Sequence, residues 1–125
     1  MRRFALVLAL CPLLVLGCGD EDQPGRTVTV PANAKLRVVA DEYSFDPSTI
    51  VLRGAGTLTV TLENKGSLAH NLKVLRGDEG VAGTPTLRGG RTESARLNLE
   101  HGSYRIICSV GDHEELGMTG TLRVR

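Results

Sequence analysis

Residues 108–118 read Cys-Ser-Val-Gly-Asp-His-Glu-Glu-Leu-Gly-Met, which sets a thiol, an imidazole and a thioether five residues apart at Cys108, His113 and Met118. Val110-Gly111-Asp112 forces a turn between the first two, so the three side chains can converge on one point from a single loop. A fourth donor must come from elsewhere, and His70 is the candidate. Two imidazoles, one thiolate and one thioether form the His₂Cys trigonal set with a long axial Met that marks a blue-copper site. Other metals fit less well. Structural zinc takes more thiolate or histidine, and iron–sulfur clusters need more cysteines. Asp112, Glu114 and Glu115 are adjacent, but no loop template frames them for calcium or magnesium. One copper ion per chain is the cofactor this pattern predicts.

The elements that position these residues read as strands. Leu36, Val38 and Ala40 alternate with Lys35, Arg37 and Asp41, and Leu58, Val60 and Leu62 alternate with threonines. The same period recurs at Ala95, Leu97 and Leu99 and at Leu122 and Val124. Ile50-Val51-Leu52 and Arg105-Ile106-Ile107 add two more, and turn signals separate them all. Short strands at this spacing predict an all-β fold, an antiparallel Greek-key β-sandwich. The stretch from Gly77 to Gly90 is the least regular and is expected to be a loop with one helical turn. Parity then orients the donors. His70 shares a face with Leu72 and Val74, and Cys108 with Tyr104 and Ile106, so both point inward. A buried imidazole needs a partner, because an unsatisfied polar group in a core costs a few kcal/mol.

The N-terminus has its own logic. Met1-Arg2-Arg3 is a basic head, residues 4–16 are apolar apart from Pro12, and Gly17-Cys18-Gly19 follows, which is the layout of a secretory signal over residues 1–17. The apolar run is shorter than the roughly 20 residues a spanning helix needs. Leu14 to Cys18 resembles the bacterial lipobox, which implies acylation at Cys18, a lipid anchor and an exported domain in the periplasm or outside the cytoplasmic membrane. Residues 18–25 are polar and acidic and read as a flexible tether. The folded domain is expected over 26–125, where Lys and Arg number 13 against 11 Asp and Glu once Arg2, Arg3, Asp20, Glu21 and Asp22 are set aside. That balance, with no basic stripe and few aromatics, gives no support to nucleic-acid binding. Of the three cysteines, Cys11 leaves with the signal and Cys18 takes lipid. Cys108 is then a lone thiol in an oxidising compartment, which calls for a reason such as metal ligation.

The chain resembles the cupredoxin family, in particular its small bacterial plastocyanin-like and azurin-like members. The resemblance is carried by residues 43–50, by 62–71 with His70-Asn71, by 102–110 leading into Cys108, and by 117–122 around Met118. It implies that His70, Cys108 and His113 form the equatorial set and that Met118 sits axially. It also implies that Asn71 ties the His70 segment to the Cys108 loop and helps hydrogen-bond the sulfur. His113 would offer a solvent-facing edge as electron exit, framed by Leu68, Leu116 and Met118 as an apolar docking patch. The chain departs from the pattern at Asp112, Glu114 and Glu115, whose charges would favour Cu(II) and a protein redox partner with a basic docking surface. His101 is expected at the opposite end of the domain. The resemblance implies one-electron transfer by a mononuclear type 1 copper site. The alternative is an envelope copper carrier or storage protein, and no enzyme constellation is visible.

Overall fold

The computed structural model describes residues 25–125. The expected signal segment, Cys18 and the expected tether as far as residue 24 lie outside the described residues. Ten strands follow in order: β1 (Thr27–Pro31), β2 (Lys35–Asp41), β3 (Ser44–Asp46), β4 (Thr49–Arg53), β5 (Gly56–Asn64), β6 (Lys73–Arg76), β7 (Glu79–Gly83), β8 (Thr92–Leu99), β9 (Gly102–Ile107) and β10 (Thr119–Val124). They form a six-stranded sheet, β1-β4-β10-β9-β6-β7, and a four-stranded sheet, β3-β2-β5-β8. The inward residues predicted by alternation fill the space between them. Val38, Leu58, Val60, Leu62, Ile50, Leu52 and Leu97 are fully buried.

Two expectations are corrected. The sandwich is all-β, but its sheets are mixed, because β4 runs parallel to both β1 and β10 and β2 runs parallel to β5. Alternation reports which face is buried and carries no information about the direction of the neighbouring strand. The stretch after Gly77 contains an edge strand, β7, paired antiparallel to β6 through a bulge between Val74 and Leu75, and no helical turn. Its residues Glu79-Gly80-Val81 are exposed, so no face of it is apolar enough to alternate.

The register explains how distant residues meet. Lys73 pairs with Ile107 across β6 and β9, and Ile107 pairs with Thr119 across β9 and β10. These three residues form one row at an end of the larger sheet. Just beyond the row lie the His70 segment, Cys108 and Met118. His101 lies in the turn before β9, about 20 Å from Cys108 at the usual rise of a strand, so it sits at the other end as expected. There Arg76 binds the His101 carbonyl at 2.9 Å and the Tyr104 hydroxyl at 2.8 Å.

Candidate metal centre

His70 is anchored just before β6 by a two-residue bridge. Its N–H donates to the Leu87 carbonyl at 3.0 Å, and the Leu87 N–H donates back at 2.8 Å. Its side chain is fully buried. Cys108 directly follows β9, and its N–H donates to the Met118 carbonyl at 3.1 Å, which closes the 108–118 loop at its neck. Inside the loop, His113 donates to Val110 at 3.1 Å, Leu116 to Asp112 at 3.1 Å and Met118 to the His113 carbonyl at 3.0 Å. The turns require left-handed backbone at Gly111 (φ 50°) and Gly117 (φ 99°), which glycine adopts without the steric cost of a Cβ. Met118 is fully buried and His113 is 6% exposed.

Three of the four sequence-predicted donors, His70, Cys108 and His113, therefore converge. One donor atom each from His70, Cys108 and His113 lies within 4.8 Å of the others, all three residues being buried. Cys108 Sγ lies 3.5 Å from His113 Nδ1 and 3.9 Å from His70 Nδ1. The spacing suits a common ion. Donors at the ~2.1 Å and ~2.3 Å typical of metal–imidazole and metal–thiolate bonds, 120° apart, stand about 3.8 Å from each other. With Met118 behind the same loop neck, the arrangement is that of a type 1 copper site, and the chemistry of the donor set fits that metal.

Asn71 joins the His70 segment to the Cys108 loop. Its Oδ1 accepts from the Ser109 N–H at 2.9 Å, and its Nδ2 donates to Thr86 Oγ1 and Ser109 Oγ at 3.0 Å each. Its own backbone N–H points at Cys108 Sγ at 3.5 Å. It is buried although its neighbours His70 and Leu72 are buried too, because the segment before β6 does not alternate as a strand does. The apolar rim is also smaller than expected. Leu68 and Leu116 are 44% and 51% exposed, but Met118 contributes nothing to the surface. Of the three acids flanking His113, Glu114 is paired with Arg105, which reduces the negative charge left for a partner.

Three further residues belong to the site and escaped the sequence reading. Asn64 is fully buried; its Nδ2 donates to the Leu68 and Leu87 carbonyls at 2.9 Å each, which fixes the approach to His70. Its signal was legible, because it continues the inward series Leu58, Val60 and Leu62 as a polar residue. Tyr43 meets His113 edge-on, with ring centroids 5.0 Å apart. Glu42 Oε1 lies 3.1 Å from His70 Nε2 and accepts the Leu68 N–H at 2.7 Å. The Leu68 bond above all, and then His70, lower the Glu42 carboxyl to about 2 against the opposing effect of partial burial. Nothing in an exposed turn between β2 and β3 marks these two residues from sequence.

Comparison with solved structures places this architecture. An auracyanin from Roseiflexus castenholzii matches with a TM-score of 0.69 at 20% identity, over 75% of this chain and 98% of that one. Auracyanin A, a "blue" copper protein from Chloroflexus aurantiacus, matches at 0.65 and 19% identity over 77% and 100%. Rusticyanin from Thiobacillus ferrooxidans matches at 0.65 and 21% identity over 82% and 86%. The fold is that of the cupredoxins. Within that class the chain belongs to the family described as PQQ-associated, which matches residues 14–125. No curated protein matches it in sequence.

Proposed function

We propose that this protein is a one-electron carrier with a mononuclear type 1 copper site held by His70, Cys108, His113 and Met118. The observation that carries the reading is the buried convergence of one ring nitrogen each from His70 and His113 with Cys108 Sγ, all within 4.8 Å. Bound copper supplies a one-electron couple. The chain's part is to hold the donors in a cage pinned by the register row, the Met118–Cys108 bond and Asn71. A cage fixed before metal binding spares reorganisation when the oxidation state changes. It also opposes release of the metal, which disfavours carriage or storage. Leu68 and Leu116, exposed on the segments that carry His70 and His113, are the contact for a protein partner, with Asp112 and Glu115 favouring one with a basic surface.

The family's description directs attention to the electron donor. A PQQ-dependent dehydrogenase holds two electrons on its reduced quinone, and a copper carrier takes one at a time. Mixing the copper(II) protein with a substrate-reduced PQQ dehydrogenase in a stopped-flow instrument should bleach the visible band, with two carriers reduced per quinol. Failure to bleach, with ready loss of copper to a chelator, would support carriage instead.

The lipid anchor is part of the same reading. It rests on Gly17-Cys18 and the polar residues after it. Cys18→Ser should convert a protein that partitions into detergent into one that stays in water, because two or more acyl chains are needed for a stable hold on a membrane. A mature N-terminus other than acylated Cys18, found by mass spectrometry, would refute the anchor and leave the copper reading intact.

A further inference from the structure

The turn after β2 touches both imidazoles, through Glu42 to His70 and Tyr43 to His113. The Glu42 contact differs from a surface ion pair, because the His70 side chain is fully buried while that of Glu42 is 26% exposed. We infer that Glu42 is a positioning residue that fixes the tautomer of His70 and biases the bound metal towards Cu(II). This deepens, and rests on, the copper reading.

The geometry supports the inference at three points. The carboxylate is an acceptor, so His70 Nε2 carries the proton and Nδ1 is left as a bare lone pair facing Cys108 Sγ, 3.9 Å away. The carboxylate is itself aimed, since the Leu68 N–H holds the same oxygen at 2.7 Å. Space for it is made by Gly66, where an added Cβ would stand 2.8 Å from Glu42 Cδ. The parallel register accounts for that neighbour. Ala40 pairs with Asn64, so two residues further along each chain Glu42 comes alongside Gly66. A carboxylate on the outer nitrogen of a ligating imidazole raises its basicity and orients its ring, and loss of such a partner costs 10–100-fold in metal affinity or activity. Its negative charge stabilises the more positive Cu(II).

Three variants separate the contributions. Glu42→Gln keeps an acceptor oxygen and removes the charge. Glu42→Ala removes both. Gly66→Ala keeps the carboxylate but pushes it off His70, at a position with no left-handed φ to oppose alanine. In metal-free protein, nitrogen-15 NMR should find His70 protonated at Nε2 in the wild type and in Glu42→Gln, and a mixture of tautomers in Glu42→Ala and Gly66→Ala. With copper bound, Glu42→Gln should lower the ratio of Cu(II) to Cu(I) affinity about tenfold, which raises the reduction potential by about 59 mV. The other two variants should move it at least as far. Wild-type potential in both Glu42 variants, or a wild-type His70 protonated at Nδ1, would overturn the inference. If the wild type takes up no copper, the copper reading fails and the NMR measurement still decides the role of Glu42. If Gly66→Ala does not fold, the two Glu42 variants decide.

Discussion

Replacing Cys108 with alanine should remove the visible absorption of the copper-loaded protein completely. Cys108 is the free cysteine of the described residues, and its sulfur is fully buried between two imidazoles. An intense visible band requires charge transfer from a thiolate bound covalently to Cu(II), and no other side chain in the site can supply one. The variant keeps His70, His113 and Met118, so copper that still binds would do so through two nitrogens and a thioether, without strong colour. The backbone should be unaffected, because the Cys108 N–H to Met118 bond that closes the loop does not involve the side chain. Absorption spectra and far-ultraviolet circular dichroism on the same samples separate loss of the ligand from loss of the fold. A band that persists in Cys108→Ala would remove the thiolate from the account.

The second large effect belongs to Asn71. In Asn71→Ala the Ser109 N–H loses its acceptor and the Thr86 and Ser109 hydroxyls lose a donor; Asn71 is buried, while Thr86 and Ser109 are exposed. The partners stand at the surface, so each bond lost costs its net worth of about 0.5–1.5 kcal/mol. For a domain of this size each kcal/mol is worth about 4–8 °C, so a loss of about 2 kcal/mol lowers Tm by about 8–16 °C. Because the lost bonds join the His70 segment to the Cys108 loop, the copper site should loosen as well, seen as faster loss of copper to a chelator. A melting temperature within about 2 °C of wild type would mean that the Asn71 bonds are replaced by water and do not clamp the site.

How far the sequence reveals all this depends on what kind of contact is involved. Alternation exposed the inward faces of β2, β5, β8, β9 and β10, because burial has a period of two. It also placed His70 and Cys108 among core residues. Convergence of Cys108, His113 and Met118 was legible because one loop carries all three and glycine at 111 and 117 permits its turns. Strand direction was not legible: the parallel pairing of β2 with β5 depends on connections between sheets, and no residue type records it. Glu42 and Tyr43 were hidden for the same reason. They reach the site only because that parallel register brings the β2 tip beside Gly66, an alignment of residues 24 positions apart. β7 was missed because an exposed edge strand of glutamate, glycine, valine and alanine buries too little to leave a pattern.

The central claim, a mononuclear type 1 copper site, is tested most directly by titrating the purified metal-free protein with a copper(II) salt and following its visible spectrum. The account predicts an intense thiolate-to-copper band that rises with each addition and stops rising at one copper per chain. A protein that stays colourless and takes up no stoichiometric copper would contradict it.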